Sequence, residues 1–116
     1  MSQENYNHDN PKRKFVRWRA AIMPKHHAQI FEGKIIEANS DSLIFLSDIA
    51  LKPGSETRLM LEVFEFNGAE TIKNQLDLSG KIVDSALIGH ISLFRHQIQL
   101  QSTNHQQQQL LNKLTQ

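Results

Sequence analysis

The chain contains no cysteine, so disulfides, thiolate metal sites and cysteine nucleophiles are all excluded. Aromatic residues are scarce, with one Trp, one Tyr and six Phe. Long apolar runs are also missing: stretches such as residues 43–46 are far shorter than a membrane span. No charged and apolar leader opens the sequence. These absences predict a cytoplasmic protein with no membrane insertion.

A large excess of charge of either sign is also lacking. The 13 Lys and Arg residues against 12 Asp and Glu residues leave a formal charge of +1. Such a chain does not attract polyanions through its bulk charge, so neither DNA nor RNA is expected as a partner. The cations are unevenly placed, however, because residues 1–25 hold six of the Lys and Arg residues and only two of the acids. Any affinity for anions should therefore be local to the N-terminal end.

The 116 residues fit one domain with one hydrophobic core. Residues 1–11 are polar and end at Pro11, so we expect a disordered N-terminal tail there. The single domain should then occupy residues 12–116.

Apolar residues in this domain come in short groups separated by turn-forming residues, which is typical of strands rather than helices. Turns are predicted at residues 39–42, 52–55 and 67–68, where Asn, Asp, Ser, Pro and Gly are concentrated. Six strand candidates result, at residues 16–23, 30–38, 43–46, 59–66, 76–82 and 91–100.

The fourth and sixth candidates have unusual patterns. Leu59 and Leu61 share one face of the fourth strand, while Met60 and Phe64 share the other, so this strand is predicted to be buried on both faces for part of its length. The apolar parity of the sixth strand changes partway, which predicts a bulge near Phe94 or Arg95.

The last segment has helical spacing. Thr103 followed three residues later by Gln106 has the form of a capping box, and three leucines then recur at helical intervals. A C-terminal helix is predicted over residues 103–115. The fold class predicted from this order is all-β, a small six-stranded antiparallel barrel or split barrel with a short C-terminal α-helix.

Arg13 and Arg17 stand four residues apart in a basic stretch that also contains Phe15 and Trp18. A guanidinium offers a planar fork of donors that fits a phosphate or the Hoogsteen edge of guanine, and its flat face can stack on a base. Two such forks on one short segment indicate an anionic ligand that carries a base.

This arrangement resembles the PilZ domain family, the bacterial receptors for cyclic di-GMP, over roughly residues 12–101. Arg13 and Arg17 match the family's Arg-x-x-x-Arg motif. The second motif, Asp/Asn-x-Ser-x-x-Gly, aligns with residues 37–42, where Glu37 stands for Asp/Asn, Asn39 for Ser and Ser42 for Gly. Residues 76–83 and 94–100 resemble later strands of the family.

The resemblance implies a PilZ-like barrel that binds cyclic di-GMP through Arg13, Arg17, Glu37, Asn39 and Ser42. The protein would be a receptor and not an enzyme. It would report the second-messenger level to an unidentified protein partner, with motility or biofilm formation as outputs, and would need neither a metal nor another cofactor.

Two other functions remain open. One is a ligand-independent PilZ-like adaptor in type IV pilus or surface-motility machinery, favoured by the departures in the second motif. The other is a single-stranded nucleic acid binder, for which Phe15 and Trp18 would supply stacking surfaces. The six histidines have no helical metal-binding spacing, and the sequence contains no nucleophile elbow or Gly-rich phosphate loop.

Overall fold

The computed structural model describes residues 12–26, 28–101 and 104–116. The predicted N-terminal tail, residues 1–11, therefore lies outside the described residues. The secondary-structure elements are β1 (Lys14–Pro24), β2 (Phe31–Ala38), β3 (Ser42–Ser47), β4 (Glu56–Asn67), β5 (Glu70–Ile88), β6 (Leu93–Leu100) and α1 (His105–Leu114).

All strand pairs are antiparallel, and the sheet closes in the order β1-β2-β3-β6-β5-β4. Closure is made by β1, which pairs with β2 along one edge and with β4 along the other. The all-β class, the six strands, the small barrel and the short C-terminal helix are confirmed.

The core follows from alternation along the strands. In β1, Trp18, Ala20 and Ile22 point inward and are buried, while Arg17 and Arg19, on either side of Trp18, are exposed. The other strands contribute inward leucine, isoleucine and valine side chains in the same way. Leu111 and Leu114 of α1 join the same cluster, so the barrel and the helix share one core.

Gly33 of β2 marks a close approach inside this core. A Cβ atom there would collide with the carbonyl oxygen of Leu46 and lie 2.7 Å from the ring of Phe45. Gly80 has a similar position in β5, since a Cβ would lie 2.7 Å from the side chain of Ile98. Both glycines allow tight packing.

Two local predictions are wrong. The outer face of β4 is not buried, because Met60 and Phe64 are each more than 40% exposed and Phe66 is 79% exposed. The predicted bulge in β6 is also misplaced. The register between β5 and β6 shifts between Ile82 and Asp84 on β5, so the irregularity lies on the partner strand.

The helix begins at His105, and its cap lies one residue later than predicted. Asn104 is the N-cap, and its side chain accepts a hydrogen bond of 2.8 Å from the backbone N–H of Gln107. Thr103, the expected cap, lies outside the described residues. Within the part of the chain that the structure describes, no helix has the length and apolar character needed to cross a membrane.

Candidate functional site

The basic segment enters the barrel at the start of β1. Phe15 pairs with Glu37 of β2, and the register then shifts before Trp18 pairs with Ile35. Arg13 directly precedes β1, so its side chain lies close to the end of β2 and the turn into β3. The irregular pairing separates this entry from the regular barrel wall that begins at Trp18.

Arg13 contacts two residues of the predicted second motif. Its Nη1 donates a hydrogen bond of 2.9 Å to the hydroxyl of Ser42, and its Nε lies 3.4 Å from Oε1 of Glu37. The Arg13 side chain is only 17% exposed. The structure therefore joins Arg13 to the 37–42 segment, although the two are more than twenty residues apart in sequence.

Asn39 and Ser42 build the turn between β2 and β3. The Asn39 side-chain oxygen accepts hydrogen bonds from the backbone N–H groups of Asp41, at 2.7 Å, and Ser42, at 2.8 Å. The Asn39 N–H in turn donates to the carbonyl of Ser42 at 3.0 Å. Ser42 does not have a positive φ, so no glycine is needed there for backbone conformation. This oxygen of Asn39 therefore maintains the turn.

Sequence reasoning missed one further cation, Arg95 of β6. Its Nη2 lies 3.6 Å from Oε2 of Glu37, so the Glu37 carboxylate lies between the guanidinium groups of Arg13 and Arg95. Glu37 and Arg95 come from the two strands that flank β3. Beneath them Ile44 of β3 is fully buried, although it does not belong to the barrel core cluster. In the sequence, Arg95 alternates with Gln97 and Gln99, which indicates an outer face of the strand. This pattern does not indicate that Glu37 is its partner.

Arg17 does not join this group. Its side chain is exposed on β1 and makes no hydrogen bond or ion pair with the residues that the structure describes. Trp18 beside it is 6% exposed and belongs to the core, whereas Phe15 is 82% exposed. Trp18 is thus a packing residue and is not available as a stacking surface.

Two surface grooves lie away from Arg13. One, of about 500 Å³, runs over the outer faces of β1, β2, β4 and β5, beside Arg19 and Glu62. The other, of about 600 Å³, lies at the turn around Gly54. Neither groove includes Arg13, Glu37 or Ser42 in its lining.

Two acids on the outer face of β4 and β5, Glu62 and Asp77, have cation partners. The hydrogen bond from Lys73 holds the pKa of Glu62 below its ordinary value, and the hydrogen bond from Arg58 lowers the pKa of Asp77. Like Glu37 with Arg13 and Arg95, these are pairs of an acid with a cation, but they lie on another part of the barrel. No set of three or more His, Asp or Glu residues among those described could hold a metal ion.

The sequence matches no protein-family model and no curated protein. Similar solved structures include the inhibitor of motility MotI/DgrA of Bacillus subtilis, with a TM-score of 0.71 and 10% identity over 89% of this chain and 47% of that one. The PlzA protein of Borreliella burgdorferi, solved in complex with c-di-GMP, has a TM-score of 0.50 and 12% identity over 98% of this chain and 48% of that one. This chain spans about half the length of either protein. At these identities the likeness shows the fold, a PilZ-like barrel.

Proposed function

We propose that this protein is a receptor domain that binds cyclic di-GMP and transmits its level to a partner protein. The observation that carries the proposal is that the Arg13 side chain contacts Glu37 and Ser42. This contact brings residues of the two proposed ligand-binding motifs together at one end of the barrel. PlzA, which was solved in complex with c-di-GMP, supports this choice of ligand. MotI/DgrA, an inhibitor of motility, supports a role in motility.

Each proposed residue has a role that suits its chemistry. Arg13 and the exposed Arg17 supply guanidinium forks for phosphate oxygens and guanine edges. Glu37 can accept hydrogen bonds from the N1–H and N2–H₂ groups of guanine. Asn39 fixes the turn that carries Ser42, and the Ser42 hydroxyl orients Arg13. On binding, the segment that carries Arg13 and Arg17 changes its position, and the proposed receptor catalyses no reaction.

A second candidate function is a ligand-independent adaptor in surface-motility or pilus machinery. The observation that favours it is that Arg13 pairs with Glu37 and Ser42 of the same chain. A protein whose Arg13 segment is held in this way could present the same surface to a partner at all ligand levels.

Isothermal titration calorimetry with cyclic di-GMP tests the receptor. Each good guanidinium contact contributes roughly 1–3 kcal/mol, so Arg13→Ala and Arg17→Ala should each weaken binding by about 5- to 150-fold. Arg58→Ala is the matched control, since it removes one exposed guanidinium that pairs with Asp77 elsewhere on the barrel. If wild-type protein shows no heat of binding at high micromolar ligand, the receptor function is rejected.

A double variant that carries both Arg13→Ala and Arg17→Ala separates the adaptor from the receptor. An adaptor should recover the same partner in a pulldown whether or not Arg13 and Arg17 are present. A receptor should lose its nucleotide-dependent partner when both are replaced.

A further inference from the structure

We infer that the Glu37 carboxylate occupies an anion-binding position shared by Arg13 and Arg95, and that a phosphate group of the ligand binds there by displacing it. This inference rests on the proposed function and adds to it a third cation, Arg95, and a competing internal anion. The starting observation is that the two Glu37 oxygens face two different guanidinium groups.

The distances show that Glu37 is a poor partner for both cations. Its oxygens lie 3.4 Å from Arg13 and 3.6 Å from Arg95, whereas charge-assisted hydrogen bonds are usually about 2.7–2.9 Å. The pair between Arg58 and Asp77 on the same barrel reaches 2.7 and 3.0 Å in a bidentate arrangement. Glu37 thus leaves much of the donor capacity of both guanidinium groups unused.

The surroundings favour an anion at this position. The side chains of Arg13 and Glu37 are 17% and 22% exposed, and that of Arg95 is 38% exposed. Screening by water is therefore weaker here than around the exposed pairs of β4 and β5. Two partly buried guanidinium groups without an anion between them would repel each other, so a displaced Glu37 has to be replaced by another negative group.

Displacement requires only a side-chain movement. The Glu37 backbone is held by pairing with Phe15 of β1 and with Ile44 of β3. Arg13 keeps its 2.9 Å hydrogen bond to Ser42 when Glu37 turns away. The site therefore retains its shape, and the rotation of one carboxylate opens it.

A phosphodiester matches the group that it would replace. Like a carboxylate, it carries one negative charge on two equivalent oxygens, and each oxygen can face one guanidinium. Cyclic di-GMP has two such groups, so one could bind between Arg13 and Arg95 while the rest of the ligand extends towards the exposed Arg17. Glu37 would then compete with the ligand and lower its affinity, and this role replaces the guanine contact proposed for Glu37 above.

The test compares Glu37→Gln with wild-type protein by calorimetry at low salt, using cyclic di-GMP and inorganic pyrophosphate as separate probes. Glu37→Gln should bind both probes about tenfold more tightly, and adding Arg95→Gln should remove that gain. Glu62→Gln is the matched control. It also removes one acid that bridges two cations, Arg19 and Lys73, and should leave both affinities unchanged.

The outcomes separate the inference from the proposed function. If wild-type protein binds cyclic di-GMP and Glu37→Gln binds it no more tightly, the inference is overturned and the receptor stands. If Glu37→Gln binds pyrophosphate but no variant binds cyclic di-GMP, the anion position stands and the receptor fails. If neither probe binds any variant, both fail. A gain that persists with Arg95→Gln overturns the role of Arg95.

A measurement on unaltered protein covers the possibility that Glu37→Gln does not fold. Pyrophosphate added to the wild type at low salt should shift the NMR signals of the Nε–H groups of Arg13 and Arg95, while that of Arg58 stays in place. Equal shifts for all three arginines would overturn the inference, because they would report only general ionic effects.

Discussion

At the scale of single residues, His96 shows how the barrel fixes a protonation state. Its side chain is fully buried on β6. The backbone N–H of Leu51 donates to Nε2 at 3.0 Å, and Nδ1 lies 3.1 Å from the carbonyl oxygen of Phe45. Nε2 must therefore be the unprotonated nitrogen, with the proton on Nδ1. His96 is held as a neutral imidazole that connects the loop before β4 to β3.

We predict that His96 makes the protein less stable in mild acid. Burial lowers the pKa of His96 below its ordinary value of 6.5, although the carbonyls of Phe45 and Ile49 oppose the shift. The unfolded state then binds the proton first. Stability present above pH 6.5 should fall by up to about 1.4 kcal/mol for each pH unit below it, until the folded-state pKa is reached. Urea unfolding measured between pH 7.5 and 5 checks this slope.

Comparing how the unfolding free energy of each variant changes with pH separates the effect of His96 from that of the other titrating groups. His96→Gln removes the titrating ring, so its unfolding free energy should change less with pH whatever its absolute stability. His90→Gln, at an exposed turn position, should keep the wild-type slope. Glu62 and Asp77 have lowered pKa values, so they stay ionised across this range. Equal slopes for wild type and His96→Gln would contradict the prediction.

The sequence identified part of the candidate site because some of its chemistry is local. Arg13 was identified from its spacing to Arg17 and from its position before the first strand. Arg95 was not, because its partner Glu37 lies on a strand that is not adjacent to β6 in the barrel. Only the folded order β2-β3-β6 brings them together. The engagement of Arg13 by Glu37 was also beyond sequence reasoning, since it depends on the side-chain direction at an irregular strand start.

At the scale of elements, α1 depends on a single capping residue. The Asn104 side chain satisfies the N–H of Gln107 at the first turn. That turn contains no acidic residue, so no side-chain charge there adds to the cap. The ten-residue helix is too short to be stable alone and relies on this cap and on its packing against the barrel.

We predict that Asn104→Ala lowers the free energy of unfolding by about 1 kcal/mol, the usual value of a lost N-cap. Chemical denaturation followed by circular dichroism measures the change. Asn104→Asp is the control, because an aspartate accepts the same hydrogen bond and should keep the wild-type stability within a few tenths of a kcal/mol. An Asn104→Asp variant as unstable as Asn104→Ala would show that the cap is not the cause.

The sequence indicates the positions of the strands better than it indicates which face of each strand is buried. The positions of β1 to β4 follow from apolar alternation and from the turn residues between them. The burial of β4 was misjudged because Met60, Phe64 and Phe66 are as apolar as core residues, and only the closed sheet decides which face points outward. The length of β5 is underestimated from the sequence because residues 70–74 are mostly polar and are held by pairing with β4.

At the scale of the whole molecule, closure of the barrel decides which aromatic residues of the N-terminal segment reach the surface. Closure between β1 and β4 places Trp18 inside, so only Phe15 of the N-terminal pair remains exposed. Asp77 of β5 and Glu62 of β4 are paired with nearby cations. A fold class could be predicted because turn signals and alternation recur along the chain. The order of strands around the ring could not, since it depends on pairings between distant segments.

The shared core leads to the last prediction, that the barrel and the helix unfold together. Trp18 of β1 and Leu111 of α1 belong to one buried cluster, and a helix this short does not persist without its packing. Trp18 fluorescence and the helical circular dichroism signal should therefore give one coincident transition. Leu111→Ala should lower the unfolding free energy by about 2–5 kcal/mol and should move both transitions equally. If only the helical signal moved, α1 would be an independent attachment, and the barrel would hold its core without it.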